Sequence, residues 1–265
     1  METRAARIGL WTWAALVVLF LYVPIAIIVV YAFNSSNIQS WPIAGFSTKW
    51  FSSAWDNREV RDSLLLSLKA AGASTAIALV LGSAAAFAVS RLRFFGREAV
   101  SFVVVLPLAL PGIITGMSLN SYFGFWGWTF SLWTIVIGHA TFCIVVVYNN
   151  VIARLRRTSP SLVEASMDLG ADGWQTFRFV TLPVISTALV SGALLAFALS
   201  FDEVIVTTFT AGAQNTLPLW IFGKIRLGQQ LPQVNVVVAV IIALTILPVY
   251  LAQRLSQESG ILRRR

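Results

Sequence analysis

SPSLVEASMDLGADGWQTFRFVTLP, which spans residues 159–183, is a polar segment that separates two long apolar runs of the chain. Its beginning predicts a helix, because Ser159 is a residue type that caps helix N-termini and Pro160 suits the first helical position. Gly170 predicts where that helix ends, since glycine adopts positive φ readily at the position after a helix. The first half of the segment therefore predicts a helix of about ten residues, or about two to three turns.

A second helix is predicted to start directly after the first. Asp172 is a good N-cap, and Gln175 three residues later can reach back to it, which is a variant of the capping box. On the first helix, Glu164 and Asp168 lie one turn apart on the same face. The segment is thus interpreted as a helix, a glycine corner and a second helix, an arrangement typical of a docking surface.

The composition indicates an integral membrane protein. Hydrophobic residues make up 57% of the 265 residues and charged residues only 11%, and the mean hydropathy is +0.79, which no ordinary soluble domain reaches. The formal net charge of +8 is also typical of nucleic-acid-binding proteins, but here the basic residues are concentrated in alternate gaps between apolar runs. This positive-inside pattern predicts that both termini are cytoplasmic and argues against a nucleic-acid partner. The basic residues in that set of gaps are Arg4, Arg7, Arg91, Arg93, Arg97, Arg154, Arg156, Arg157, Arg178, Arg254 and Arg263 to Arg265.

Six apolar runs of about 20 residues or more are each long enough to cross the hydrocarbon core as a helix. They lie near residues 8–33, 63–89, 99–121, 131–153, 184–211 and 233–252. The first run follows basic residues, as in a signal peptide, but it is too long for one and no A-x-A cleavage pattern follows, so it is predicted to be an uncleaved anchor. The predicted fold class is an all-α integral membrane protein with six transmembrane helices.

The chain is not predicted to be an enzyme. The sequence G-x-x-x-x-G-K-[ST] does not occur, so the chain has no phosphate-binding loop and cannot hydrolyse ATP by the P-loop mechanism. The single cysteine, Cys143, lies inside an apolar run, which excludes a disulfide within the chain and favours a small buried hydrophobic residue. No catalytic residue or metal site is predicted.

Asp202 and Glu203 are adjacent acids within an apolar run, where a buried charge is costly and indicates function. A continuous helix from Pro183 would place Asp202 about 30 Å along its axis, close to the outer interface, so a solvated pair of outer acids is an equal alternative to a pair that lines a transport path. On a regular helix adjacent side chains point about 100° apart, so at most one of the two acids faces a path squarely, and we favour Asp202. The neighbouring Phe201 can add a cation–π contact, although such aromatics are more often packing residues.

Pro107 and Pro111 interrupt the hydrogen-bond ladder of the third run, beside Gly112 and Gly116. Such interruptions are tolerated in membranes where the backbone lines a cavity or finds other partners. A packing helix with a kink is an equally good interpretation of these residues alone. Pro111 and Gly112 are therefore candidates for the lining of a path.

Ser118 and His139 invite comparison with an intramembrane serine protease, in which a serine and a histidine carry out nucleophilic chemistry. The match is poor because no glycine follows the serine. A single histidine within an apolar run is more often a residue that hydrogen-bonds between helices. His139 is accordingly predicted to be structural.

Several motifs together resemble one family of transporters. Glu164-Ala165-Ser166, Gly170 six residues after the glutamate, and Leu182-Pro183 are similar to the EAA loop of type I binding-protein-dependent ABC importer permeases. Serine at position 166 departs from the second alanine of that motif. The stretches LPLALPGIITGMSL (106–119), GHATFC (138–143) and FALSFDEVIVTTFTAG (197–212) resemble the polyamine branch of the family, and the resemblance covers nearly the whole chain.

The resemblance implies a division of the chain and a set of site residues. Residues 1–62 would hold a peripheral first helix and an outer segment, residues 63–251 the conserved transmembrane core with its coupling loop at 159–183, and residues 252–265 a basic cytoplasmic tail. The residues implied to couple to an ATPase are Glu164, Ala165, Asp168, Gly170, Leu182 and Pro183. The implied path residues are Asp202, Glu203, Phe201, Pro111 and Gly112.

The resemblance also implies the partners and the solute. Two copies of an ATPase subunit would carry ATP and magnesium, a second homologous permease would complete the path, and an extracytoplasmic solute-binding protein would deliver a polyamine such as putrescine or spermidine. This chain would need no cofactor of its own. Three alternatives remain at this point: an importer of another small amine or amino-acid-like solute, an ion-coupled transporter or channel that works without an ATPase, and an inert membrane scaffold.

Overall fold

The structure, a computed structural model, describes residues 4–92 and 95–245. In these ranges all regular structure is helical apart from one β-bridge between Asn34 and Phe46. Two predicted features lie outside the described residues: the basic tail at 252–265, which contains Arg254 and Arg263 to Arg265, and the basic residue Arg93. The helices are α1 (Arg4–Ala32), α2 (Lys49–Asp56), α3 (Arg58–Arg91), α4 (Arg97–Ala109), α5 (Gly112–Phe125), α6 (Leu132–Arg157), α7 (Ser161–Asp168), α8 (Gly173–Thr176), a π-helical turn (Phe177–Thr181), α9 (Leu182–Phe201), α10 (Ile205–Thr210), α11 (Leu217–Leu227) and α12, described over Leu231–Thr245.

Four helices in the described ranges are long and apolar enough to cross a membrane: α1, α3, α6 and the continuous helix Gly173–Phe201. The helices α4 and α5 pass the same test only as a pair, and the chain bends by 103° between them. Counting that pair as one broken span gives five. The sixth predicted run, 233–252, is described only as far as Thr245, where α12 is shorter than a full span.

The third predicted run is therefore not a single kinked helix. Its two halves meet at Leu110 and Pro111, which both have extended backbone, with ψ values of 140° and 131°. Proline has no N–H to donate and disfavours helical geometry in the residue before it. The chain consequently leaves the helix after Ala109 and starts a new one at Gly112.

One compact unit comprises residues 61–222, and α6 lies at its centre. The close approach of α3 to α6 depends on Gly82, because a Cβ added there would lie 2.8 Å from the carbonyl oxygen of Ile144. The hydroxyls of Tyr148 and Ser101 lie 2.7 Å apart and join α6 to α4. Cys143 is buried and donates its thiol to the carbonyl of Ala196, as expected of a small core residue.

The other unit comprises residues 1–60 and 223–265, of which 4–60 and 223–245 are described. It contains the short helix α2. Gln233 of α12 accepts a hydrogen bond of 2.7 Å from Asn57 and donates one of 2.7 Å to Ser53, while Lys224 pairs with Glu59 at 2.8 Å. The most apolar 18-residue stretch of the α1 span contains no buried residue within the described part of the chain, so its apolar surface requires a lipid or protein environment.

Candidate functional site

Two interrupted helices pack against each other in the unit formed by residues 61–222. Helix α5, which follows the first break, packs along helix α10, which follows the second. Gly112 is the first residue of α5 and faces Ile205, the first residue of α10. A Cβ on Gly112 would lie 3.6 Å from the Cγ2 atom of Ile205. One turn later, the side chain of Phe209 occupies the space beside Gly116. The Asn120 side chain then donates to the carbonyl of Phe209 at 2.7 Å. The two helix breaks are therefore neighbours.

The second break contains the acidic pair. Helix α9 ends at Phe201, and α10 begins at Ile205, so the run 184–211 is not one helix. The Asp202 N–H still bonds to the carbonyl of Ala198 at 3.1 Å. Glu203 directs its carboxylate to the first turn of α10, where its Oε1 atom accepts from the N–H of Val206 at 2.9 Å. This side chain satisfies a donor that a helix N-terminus leaves unpaired.

The structure separates the roles of the two acids more clearly than helical geometry predicted. Glu203 is half-buried and caps a helix, whereas Asp202 is exposed and its carboxylate has no hydrogen-bond partner within 4–92 and 95–245. Both lie in a non-helical turn, so the expected 100° offset of a regular helix does not apply. Phe201 stacks on Phe197, with ring centroids 6.2 Å apart. Pro111, at the other break, is exposed, and Gly112 is half-buried.

His139 spans the second break. Its Nδ1 atom lies 2.8 Å from the hydroxyl of Ser200 in α9, and its Nε2 atom lies 2.8 Å from the hydroxyl of Thr207 in α10. The prediction that His139 hydrogen-bonds between helices is confirmed, and its ring contacts Ser200 and Thr207 rather than Ser118. Sequence reasoning missed Ser200 and Thr207, whose signal was two hydroxyl side chains that flank the acidic pair within an apolar run.

The predicted coupling loop begins with a shorter helix than expected. Helix α7 starts at Ser161 rather than Pro160 and has eight residues, although the Ser159 hydroxyl still accepts from the N–H of Ser161 at 3.3 Å. The predicted end at Gly170 is confirmed, with φ at 87°. The N–H of Gly170 bonds to the carbonyl of Met167 and that of Ala171 to Ser166, which together form a Schellman motif.

The second predicted helix of the loop starts as expected at its N-cap Asp172, but it is the first part of a longer helix. The capping box at Asp172 is present, with Gln175 donating its N–H at 2.8 Å and accepting at 3.0 Å. However, α8 continues through the π-helical turn into α9, which makes one helix of 29 residues from Gly173 to Phe201. Pro183 lacks the N–H that an α-helical ladder would need, and just before it the N–H of Leu182 bonds five residues back to Phe177.

Contacts within the loop at residues 159–183 and with α3 hold it in place, while many of its side chains remain exposed. The hydroxyls of Ser166 and Thr176 lie 3.1 Å apart and join α7 to α8, so the serine that departs from the family motif has a contact an alanine would lack. Phe177 packs edge-on against Phe87 of α3, with centroids 5.7 Å apart. The exposed residues of the loop include the acids Glu164, Asp168 and Asp172, the basic Arg178, and the apolar residues Leu162, Ala165, Met167, Leu169, Trp174 and Phe179. The loop thus exposes acidic and apolar side chains, together with one basic side chain at Arg178.

The described residues contain no group of three or more His, Cys, Asp or Glu side chains that could hold a metal ion. The candidate site at the paired helix breaks contains an exposed acid, Asp202, and the loop exposes charged and apolar side chains.

The chain is similar to known transport proteins in sequence and in fold. The family described as "Binding-protein-dependent transport system inner membrane component" matches residues 78–258. The putrescine transport system permease protein PotI of Escherichia coli is 36% identical over 84% of this chain and 82% of its own length. The spermidine/putrescine transport system permease protein PotC of Escherichia coli is 33% identical over 90% of each chain. A chain of a bacterial ABC transporter involved in the import of alginate has the same fold, with a TM-score of 0.73 at 18% identity over 96% of this chain and 98% of that chain.

Proposed function

This chain belongs to the family of binding-protein-dependent transport system inner membrane components, and on that premise we propose that it forms one half of the path through which an ATP-driven importer moves a polyamine such as putrescine or spermidine. As a member it is a multi-pass inner-membrane permease subunit and not an enzyme. The proposal adds the energy source, the partners and the solute. It also includes six spans with both termini in the cytoplasm.

The observation that carries the proposed solute is the exposed carboxylate of Asp202 at the end of α9. An ionised acid within a membrane protein is costly unless it meets water or a cation. The carbonyl end of α9 carries partial negative charge as well, so it adds to the attraction for a cation at this point. Phe201 offers a ring face to an ammonium group, a contact worth about 0.5–2 kcal/mol. Primary ammonium groups of polyamines fit that chemistry.

The opposing helix breaks support the proposed path. Discontinuous helices in transporters place backbone ends and side chains where a solute passes, because irregular backbone is tolerated where it lines a cavity. Gly112 at the first break faces Ile205 and Val206 just beyond the second, and Pro111 precedes it in the chain. A second, homologous permease would close the other side of the path.

The loop at 159–183 supports the proposed energy source. The chain has no P-loop, so ATP energy has to enter through a partner, and we assign this to two copies of a separate ATPase subunit that hold ATP and magnesium. Glu164 and Asp168 would meet basic groups of the ATPase, and the exposed Leu162 and Met167 would fill apolar positions. Gly170, Leu182 and Pro183 would shape the corner and the helix behind it. An extracytoplasmic binding protein would deliver the solute.

The test compares Asp202→Asn with Asp56→Asn, an equal charge change at an exposed acid of α2. Each variant is expressed with the cognate ATPase, second permease and binding protein, and uptake of radiolabelled putrescine is measured. Asp202→Asn should lower the maximal uptake rate about tenfold, equivalent to about 1.4 kcal/mol, whereas Asp56→Asn should not. Assembly is checked by co-purification of the subunits. Equal uptake by both variants would remove Asp202 from the path.

A second candidate function follows from the same exposed acid, since Asp202 can also carry a proton in an ion-coupled transporter. The two mechanisms differ in their energy source. Proteoliposomes that contain this chain and its permease partner without an ATPase should take up no putrescine when a proton gradient is imposed. Uptake under those conditions would favour the ion-coupled transporter, and competition by other amines would define the solute class.

A further inference from the structure

We propose that His139 is a positioning residue that holds the two ends of the α9–α10 break together and thereby keeps the Asp202 carboxylate exposed at the path. The inference rests on the proposed function for what Asp202 meets. Its geometry does not depend on that function. His139 contacts Ser200, two residues before Asp202, and Thr207, five residues after it, at 2.8 Å each.

The directions of these hydrogen bonds follow from the number of protons. The Thr207 hydroxyl donates its single hydrogen to the carbonyl of Glu203 at 2.7 Å, so it can only accept from His139, which therefore carries its proton on Nε2. The Nδ1 atom of the neutral ring is then an acceptor, and the Ser200 hydroxyl donates to it. A directed chain runs from Ser200 through the imidazole to Thr207 and ends on the backbone of the break.

Burial makes this chain specific to its position. His139, Ser200 and Thr207 are 1%, 2% and 0% exposed, so water cannot replace a lost partner and each unpaired group is costly. Close packing brings the ring to the break, because a Cβ on Gly138 would lie 3.1 Å from the Cγ1 atom of Val206 in α10. The helix α6 is continuous across this region and thus holds α9 and α10 in place on either side of their break.

These hydrogen bonds give Glu203 and Asp202 different positions at the break. Thr207 holds the carbonyl of Glu203, and the N–H of Val206 holds its carboxylate, so Glu203 is committed to the break by two contacts. With Glu203 held in this way, the Asp202 side chain lies on the exposed side of the break. Without His139, α10 would lose the side-chain hydrogen bonds that connect it through α6 to Ser200 at the end of α9, and the acids would no longer keep separate roles.

The first test measures the local structure without transport. Val204 is half-buried within the break, and the only native cysteine is buried, so labelling of Val204→Cys by a membrane-impermeant maleimide reports opening of the break. Thr207→Val should raise the labelling rate about fivefold, the factor that corresponds to about 1 kcal/mol for one net hydrogen bond. The matched control is Thr210→Val, which removes a buried hydroxyl that bonds only within α10. It should leave the rate unchanged.

Conservative variants separate positioning from general destabilisation. Thr207→Ser keeps the hydroxyl and should restore the wild-type labelling rate. His139→Asn retains an acceptor near Nδ1, and His139→Gln a donor near Nε2, so each should give an intermediate rate, while His139→Phe should match Thr207→Val. A cysteine at Gln214, exposed in the loop after α10, should label equally in all backgrounds. Equal effects of Thr207→Val and Thr210→Val, or a parallel rise at Gln214, would overturn the inference.

Uptake distinguishes failure of this inference from failure of the proposed function. With the cognate subunits present, Thr207→Val should lower the maximal rate of putrescine uptake about fivefold with little change in KM, and Thr207→Ser should restore it. A labelling contrast in a complex that takes up no putrescine would support the positioning role and refute the proposed solute. Normal uptake by the wild type, with no labelling contrast between Thr207→Val and Thr210→Val, would refute the positioning role and leave the proposed solute standing.

Discussion

Replacement of Gly82 by alanine is expected to destabilise the helical core at one defined contact. The added Cβ would lie 2.8 Å from the carbonyl oxygen of Ile144, 3.1 Å from the backbone nitrogen of Tyr148 and 3.1 Å from the Cβ atom of Val147. Two of these three atoms belong to the backbone of α6, so no side-chain rotation relieves the clash. The helices α3 and α6 must move apart by about half an ångström, which forfeits about a quarter to a half of the dispersion energy at the contact.

Overpacking of this kind costs about 1–3 kcal/mol. Alanine is also a better helix former than glycine by about 0.5–1 kcal/mol, and this gain offsets part of the cost. The net loss for Gly82→Ala is therefore about 0–2.5 kcal/mol, with a central value of about 1 kcal/mol. The control is Gly72→Ala on the same helix, where nothing lies within 4 Å of the added Cβ and the propensity gain acts alone.

The assay is thermal unfolding of the purified complex in detergent, followed by intrinsic fluorescence. At about 2–4 °C per kcal/mol for a chain of this size, Gly82→Ala should lower Tm by several degrees, and Gly72→Ala should raise it slightly or leave it unchanged. A Gly82→Ala variant as stable as Gly72→Ala would refute the close approach of α3 to α6. A uniform loss in both variants would instead indicate that the glycines of α3 act through the helix itself.

Two further predictions concern the proposed coupling loop and the paired breaks. Gly170 has φ at 87° with open space around it, so Gly170→Ala should cost about 1–2 kcal/mol of backbone strain at the corner and lower ATP-driven putrescine uptake. Gly173→Ala, which also meets open space, should not lower uptake. Equal uptake by the two variants would contradict the role of the corner. Gly116→Ala would place its Cβ 2.6 Å from the Phe209 ring and should lower Tm by an amount equivalent to about 1–3 kcal/mol, whereas Gly124→Ala on the same helix, with nothing within 4 Å, should leave Tm unchanged.

Features that depend on local chemistry could be predicted from the sequence. The capping box at Asp172 and the positive φ at Gly170 follow from side-chain groups and backbone preferences within a few residues. The break at Pro111 follows from the missing N–H of proline. Composition and the length of the apolar runs were enough to identify membrane spans.

Features that depend on distant partners could not be predicted in this way. The break after Phe201 has no proline or glycine at its centre, and it is held by His139, which lies more than 60 residues earlier in the chain. The assignment of Glu203 as a cap and Asp202 as the exposed acid required the start of α10 to be known. Likewise, the continuity of α8 with α9 depends on a π-helical turn that absorbs Pro183, and the apolar pattern gives no sign of it.

That continuity bears on how the proposed coupling could work. The helix from Gly173 to Phe201 has 29 residues, or about 43 Å at about 1.5 Å each, and it joins the glycine corner directly to the break that holds Asp202. A displacement of the corner by an ATPase would move the end of α9 as one rigid element, without a relay of side-chain contacts. The end of α9 cannot move alone, because Ser200 is tied through His139 to Thr207. Docking at α7 would therefore shift both sides of the break together and carry the exposed acid with them.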